Sequence, residues 1–348
     1  MASLSQLKFA MATSIFLSAF IFGLFVFAIV FFLQLDVFSG LFVAFGGSAL
    51  FILFQYAIGP IIVAATTKLQ YLKPGDNLWL EATVKDLADK SGLPMPKLAI
   101  VPNSTPNAFT FGRTTSSATL AVHEGLLRQL TETEVKGVIA HELGHIKHKD
   151  YIVMTVLSAL PLIAYIIAQV TLRAGAFSSG SRRNNKDNSG VALLVIGAIS
   201  FAIYIITFLI VMRLSRLREH YADAFSAYAT GSPRELESAL AKITYGLSIS
   251  PKPPEGVRAF YIEDPGMAKQ EIQRIMENKN QYDLDHDGVL DQRELELAME
   301  KESKSTWVQM NSLFATHPPT FKRILLLKEI EQEMDTGQYS SDKMYIHV

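Results

Sequence analysis

His141-Glu142-Leu143-Gly144-His145 sets two imidazoles and a carboxylate in an H-E-x-x-H spacing. Glu132, Glu134, Val135, Val138 and Ile139 lead into it with helix formers and apolar residues at helical intervals, which predicts a helix here. Residues i and i+4 share a helical face, so both rings can reach one zinc ion. Glu142 sits beside them, where it can take a proton from a metal-bound water as general base. With eight His in 348 residues, a chance match is on the order of 1%, so a zinc peptidase outweighs a soluble helix that happens to carry two His.

A catalytic zinc needs a third protein ligand and an open position. The best source is Arg218-Glu219-His220-Tyr221-Ala222-Asp223, where Glu219 and Asp223 are again i and i+4. Glu219 can ligate, and Asp223 can accept the remaining ring N–H of a ligand His and fix its tautomer. His220 is the alternative ligand, about 100° away around the helix from Glu219. The competing reading of Glu219 and Asp223 is a solvated helix face. His148 lies at i+3 from His145 and reads as an exposed helix residue, and His123 as a strand or loop residue.

A second constellation spans residues 283–294, Asp-Leu-Asp-His-Asp-Gly-Val-Leu-Asp-Gln-Arg-Glu. It matches an EF-hand calcium loop at each key position. Asp283, Asp285 and Asp287 take positions 1, 3 and 5, and Gly288 makes the turn. Val289 offers its carbonyl, Asp291 stands at 9, and Glu294 is the bidentate ligand at 12. Ile272, Ile275 and Met276 before the loop, and Leu295, Ala298 and Met299 after it, give both flanks one apolar face. An acidic surface turn is the competing reading. Five clustered carboxylates repel one another without a cation, which favours the metal. The chain shows no second such loop, so the site is weak, structural, or paired between chains.

The elements that must position these residues are membranous. The chain is 49% hydrophobic with a mean hydropathy of +0.22. Charged side chains are missing from 9–34, 37–67, 151–172 and 188–212. Each stretch can cross about 30 Å of hydrocarbon as a helix, so four spans in two hairpins are expected. The first has too long an apolar core for a cleaved signal peptide and reads as retained. Pro161 is tolerable within the third. Net charge of −1 gives no reason to expect nucleic acid. The absence of cysteine excludes disulfides and thiolate metal sites.

Lys68, Lys73, Lys85 and Lys90 after the second span, Lys147 and Lys149 before the third, and Arg213, Arg216 and Arg218 after the fourth place the intervening catalytic segments in the cytosol. Arg173, Arg182, Arg183 and Lys186 dissent, since parity puts their loop outside; either it violates the rule or the second hairpin dips in without crossing.

His141-Glu142-x-x-His145 followed, after a hydrophobic hairpin, by Glu219-x-x-x-Asp223 resembles the HtpX-type membrane gluzincins, relatives of the CAAX prenyl proteases. Asn107-Ala108-Phe109 with Gly112 resembles that family's segment at the substrate cleft. Gly125-Leu126-Leu127 resembles its lead-in to the motif helix. Thr316-His317-Pro318-Pro319-Thr320 with Arg323 resembles its C-terminal signature. The resemblance covers roughly residues 1–260 and 305–330. It implies an integral membrane endopeptidase that cuts damaged or misfolded membrane proteins on the cytosolic side, with residues 107–112 as an edge strand. Ala108-Phe109-Thr110-Phe111 has the propensity for a strand, and an edge strand can hold extended substrate by main-chain pairing; an ordinary core strand competes. Asn107, Phe109 and His317 are candidate substrate or transition-state contacts. His317 precedes two prolines in a non-helical turn, where it serves either the cleft and oxyanion or as a cap on the next helix.

The resulting layout is a transmembrane hairpin (1–67), a first catalytic half (68–150), a second hairpin (151–212), a second catalytic half (213–266), an inserted EF-hand-like helix-loop-helix (267–305) that departs from the family pattern, and a C-terminal catalytic part (306–348). The catalytic part should be mainly helical α+β, with strands only within 96–122. Expected cofactors are one catalytic Zn2+ and Ca2+ in the loop. Expected partners are the bilayer of a cell membrane and protein or peptide substrates, with oligomeric state undetermined. The competing functions are a calcium-sensing membrane adaptor on an inactive scaffold and prenyl-protein processing; the complete zinc set opposes the first, and the family's prenyl proteases are longer with more spans.

Overall fold

The computed structural model describes residues 4–32, 36–180, 189–250, 261–286, 292–303, 313, 315–337, 339, 344–345 and 347–348. The chain divides into two compact units, one holding residues 60–151 and 215–348 with the N-terminal seven, the other residues 8–59 and 152–214.

The second unit consists of long apolar helices: most of α1 (Leu4–Phe32), most of α2 (Val37–Thr67), and the greater part of α6 (Asp150–Gly180) and α7 (Ser189–Thr230). Among the described residues, the helices over Phe45–Thr67, Asp150–Ser178 and Gly190–Thr230 are long and apolar enough to cross a membrane. The first expected span falls on α1, whose apolar stretch counted over described residues is Leu7–Gly23. Inside this unit Phe22, Val26 and Val30 pack against Leu160, Ile163, Ile167 and Ile203. Phe9, Phe16, Phe38 and Phe42 point outward, a surface suited to lipid rather than water. Thr171, Ser200 and Thr207 donate their hydroxyls to carbonyls one turn back, so these polar groups need no water.

The first unit holds the chemistry. Its four-stranded sheet runs β1 (Gln70–Tyr71), β2 (Lys97–Val101), β4 (Thr119–His123), β3 (Ala108–Phe111). β2 and β4 are parallel, with Leu98 opposite Leu120, and both outer pairs are antiparallel. The strands therefore extend beyond residues 96–122 at both ends, because Gln70 and Tyr71 pair with Ile100 and Ala99. β3 lies at an edge, as the family resemblance implied.

Against the sheet pack α3 (Leu78–Ser91), the short α4 (Glu124–Gln129) and α5 (Glu132–His148), followed by α8 (Pro233–Ile249) and α11 (Thr320–Asp335). Their core gathers Leu80, Val84, Leu87, Leu120, Leu126, Ile139, Leu143, Leu240, Ile243 and Leu327, all buried.

α5 begins in a capping box. The Thr131 hydroxyl accepts from the Glu134 amide, and the Glu134 carboxylate accepts from the Thr131 amide, an arrangement typically contributing about 1 kcal/mol. Lys149 ends α5 with φ of 59°, in the left-handed region. That residue stops the helix, and α6 starts at Asp150. Two glycines let neighbours approach α5. A Cβ on Gly144 would stand 3.1 Å from the Ala222 Cα of α7, and one on Gly137 would stand 2.9 Å from the Leu236 amide of α8. Ser226 secures the α7 contact by donating to the Gly137 carbonyl at 2.7 Å.

The segment from 265 to 303 forms α9 (Pro265–Glu277) and α10 (Gln292–Ser303), capped at its start by Asp264, whose carboxylate accepts from the Gly266 and Met267 amides. Ile272, Ile275, Tyr282 and Ala298 pack against Ala241 of α8 and Phe321 and Ile324 of α11. The expected apolar face of the first flank is narrower than read from spacing, since Met276 is 52% exposed. It follows the last buried position, Ile275, and turns to solvent at the helix end.

Candidate metal centre

α5 presents His141 and His145 one turn apart, and α7 presents Glu219 opposite them. The close approach at Gly144 and Ala222 makes this possible, because a side chain at Gly144 would hold the helices apart. The two Nε2 atoms lie 3.1 Å apart. Glu219 Oε2 stands 3.4 Å from His141 Nε2, and Oε1 stands 3.6 Å from His145 Nε2. One donor atom from each of the three residues falls within 4.8 Å of the other two. Two imidazole nitrogens and a carboxylate converge in a buried space, an acceptor cluster that a proton or a metal cation can bridge. This nitrogen and oxygen donor set suits zinc, and three protein ligands leave a position open. His220, the alternative ligand, is outside this cluster.

Each ring is held from behind. His141 Nδ1 lies 2.9 Å from Asp223 Oδ1. Asp223 accepts in turn from Arg323 of α11, through Nε at 2.9 Å and Nη2 at 2.7 Å. Arg323 is wholly buried, and its remaining donor reaches the Ile262 carbonyl at 2.6 Å and Glu263 at 2.7 Å. Burial opposes its charge, but Asp223 and Glu263 outweigh this and hold it firmly protonated. His145 Nδ1 lies 2.6 Å from Asp150 Oδ2, and Asp150 is ion-paired with Arg218. Burial alone would lower the His145 pKa; the carboxylates of Glu219, Asp150 and Glu142 reverse that and raise it to about 9 in the metal-free protein.

Glu142 is buried beside these rings, and Thr110 of the edge strand β3 donates to its carboxylate. Burial raises its pKa, and the two histidines only partly counter this. A carboxylate tuned upward is a better proton acceptor near neutral pH. His317 is also buried, with Nε2 3.6 Å from Glu219 Oε1 and Nδ1 2.8 Å from the Thr316 hydroxyl. It therefore reaches the metal cluster from the C-terminal segment. Burial lowers its pKa, opposed by the neighbouring Glu219 carboxylate, and the ring can donate from a nitrogen.

Asn107 is buried, and its side-chain oxygen accepts from the Ile262 amide at 2.9 Å. Phe109 packs with Ala99, Val101, Phe111 and Ala121. His123 is buried at the end of β4 with Nδ1 3.0 Å from the Thr105 carbonyl. His148 corrects its expected exposure: it is buried, with Nε2 2.9 Å from the Tyr345 hydroxyl and its ring edge-on to Tyr221 and Phe225. Spacing on α5 turned it away from the face shared by His141 and His145 but could not show that residue 345 covers His148. Asp150 and Arg218 escaped the sequence reading. Their only signals were a carboxylate at the start of an apolar span and an arginine directly before a ligand.

In the acidic loop, Asp283, Asp285 and Glu294 bring carboxylate oxygens within 4.8 Å of one another. Glu294 Oε1 accepts from the Leu284 amide at 2.6 Å and the Asp285 amide at 3.3 Å. Asp287, Val289 and Asp291 lie outside the described residues.

A two-histidine, one-carboxylate donor set with a buried base beside it, on a chain with membrane-length apolar helices, defines a membrane metallopeptidase. The Peptidase family M48 matches residues 74–331, and the chain belongs to that family. It is 34% identical over 304 residues to a protease HtpX homolog of Aeropyrum pernix, covering 85% of this chain and 90% of that protein. A protease HtpX homolog of Methanothermobacter thermautotrophicus is 40% identical over 57% of this chain and 71% of its own length. Among solved structures, S. mikatae Ste24p aligns with a TM-score of 0.48 at 16% identity, covering 88% of this chain and 62% of that one. The protein is an HtpX-type membrane metalloendopeptidase.

Proposed function

We propose that this chain is a zinc endopeptidase cutting damaged or misfolded membrane proteins from the cytosolic side, with zinc held by His141, His145 and Glu219. The observation carrying this reading is the convergence of those three donors with Glu142 beside them. Zinc, when bound, supplies Lewis acidity toward water and the scissile carbonyl. Glu142 removes the proton from the attacking water and returns it to the leaving amine nitrogen. Asp223 fixes the tautomer of His141. His317 donates to the developing oxyanion. Extended substrate adds to the edge strand β3, and Thr110 on that strand ties it to the base. Asn107 holds the end of that strand through Ile262, and Phe109 anchors it from beneath.

The first experiment is casein cleavage by the detergent-solubilised full chain, metal-stripped and then given zinc, beside Glu142→Gln. Zinc-dependent cleavage by the wild type alone is expected. A zinc-loaded, folded wild type that cleaves nothing would overturn the reading in favour of the calcium-sensing adaptor.

Four spans with the catalytic unit in the cytosol fit the lysines and arginines flanking the apolar stretches. The chain has no cysteine, so Lys85→Cys gives a single label site. It should react with an impermeant maleimide only after the cells are opened; labelling of intact cells would invert the orientation.

The acidic loop takes calcium, using Asp283, Asp285, Asp287, Asp291, Glu294 and the Val289 carbonyl. Supporting this are the motif, the three converging carboxylates and the flanking α9 and α10. These helices pack on α8 and α11, and α11 carries Arg323. Calcium order in the loop thereby bears on the segment that holds His317 and Arg323. Calcium should protect residues 265–305 from trypsin and change casein turnover. A loop that binds calcium while neither quantity moves would end the regulatory part of the reading.

A further inference from the structure

The two zinc-facing histidines are supported in the same way by different parts of the chain. Behind His141 stand Asp223 and then Arg323. Behind His145 stand Asp150 and then Arg218. We propose that Asp150 and Arg218 are positioning residues for the metal centre, forming a second His-carboxylate-arginine relay that aims the Nε2 lone pair of His145.

The geometry requires a specific chain path. On a continuous helix, a residue five positions on lies about 140° around the axis and cannot meet His145. Lys149 breaks α5 with φ of 59°, and Asp150 then reaches back to His145 Nδ1 at 2.6 Å. A residue other than glycine is disfavoured in that conformation, and the Lys149 amide is bonded to the His145 and Ile146 carbonyls at the helix end. Asp150 is 6% exposed and Arg218 2%. Removing one of two buried opposite charges leaves the other uncompensated, which ties them energetically. As an acceptor, Asp150 keeps the proton of His145 on Nδ1 and leaves Nε2 free to ligate. Arg218 directly precedes Glu219 in α7. One turn of helix thus carries the third ligand together with the group that holds the support of the second ligand. A displacement of α7 there would withdraw Glu219 and loosen His145 together.

The inference rests on the zinc reading, and the test separates them. Full-length protein in detergent is titrated with zinc against a competing chelator, and its cobalt-substituted absorption spectrum is recorded. Asp150→Ala/Arg218→Met removes both charges, so no lone buried charge remains to unfold the protein. Its zinc affinity should fall about 10- to 100-fold, with a shifted cobalt spectrum. A variant matched in melting temperature through Leu240→Ala, in the core, should keep wild-type zinc affinity. Asp150→Asn keeps an acceptor for Nδ1–H but loses the charge facing Arg218, and should fall between the double variant and the wild type. Zinc affinity within about twofold of the wild type in both Asp150 variants would make the pair merely structural and overturn the proposal. A wild type that binds no zinc would instead overturn the metal centre itself, and this relay with it.

Discussion

The metal centre and the acidic loop both gather carboxylates, but they balance the charge differently. At the centre, Asp223 and Asp150 each face a buried arginine, Arg323 and Arg218, drawn from distant parts of the chain. In the loop, Asp283, Asp285 and Glu294 come from one short stretch, and Glu294 accepts from two backbone amides of that stretch. The first site is preformed: His141, His145 and Glu219 already converge, and the rest of the unit holds the two rings from behind. The second is a local cluster of carboxylates, for which calcium is the proposed partner. Preformation permits the tight placement that catalysis needs, while a local chelate suits an ion that comes and goes.

That contrast can be broken at the centre first. Glu142→Gln should lower casein turnover by about 10²- to 10⁴-fold while zinc content stays at the wild-type level. Zinc lost with turnover would make Glu142 a ligand and undo its role as base. Arg323→Met leaves Asp223 and Glu263 buried without their partner, at a cost of about 3–5 kcal/mol. It should appear as a large drop in melting temperature together with weaker zinc binding. A stable variant with intact zinc would mean that the centre is not preformed by its arginines.

The loop should respond only to its own ion. Glu294→Gln is expected to abolish calcium protection of residues 265–305 against trypsin, with zinc affinity unchanged. Equal loss of zinc would show the two sites to be one cooperative unit.

A smaller, pH-dependent effect sharpens the boundary between them. Glu271 of α9 is buried and bonded to Thr320 of α11; burial dominates and raises its carboxyl from 4.5 to about 7. The folded state therefore holds this proton more tightly than the unfolded chain. The associated stability is fully present below about pH 4.5 and is lost as the pH rises through about 7. Glu271→Gln should match the wild type in melting temperature near pH 4.5 and exceed it by a few degrees at about pH 8. A difference independent of pH would mean that Glu271 is ionised throughout.

Much of the site could be read along the chain because helical period alone decides it. His141 and His145, and likewise Glu219 and Asp223, are one turn apart, and a single turn fixes their common face. The flanks of the acidic loop were legible as helices for the same reason, although Met276 turned to solvent. Spacing failed where the helix stopped or another segment intervened. The left-handed Lys149 brought Asp150 to His145, and Tyr345 covered His148. Neither event leaves a periodic trace.

The sequence by itself determined the chemistry: which groups could bind zinc, which carboxylate could act as base, that no thiol takes part, and, for three of the four apolar stretches, that they are long enough to cross a membrane. These follow from residue type and local spacing, which hold wherever the segment lies. The tertiary structure decided which carboxylate supports each histidine, which arginine balances each carboxylate, and that His317 and Thr110 reach the same buried space. Those pairings join residues as far apart as 141 and 323. Whether two such groups meet depends on how α5, α7 and α11 pack, through contacts such as Gly144 against Ala222 that no local pattern encodes.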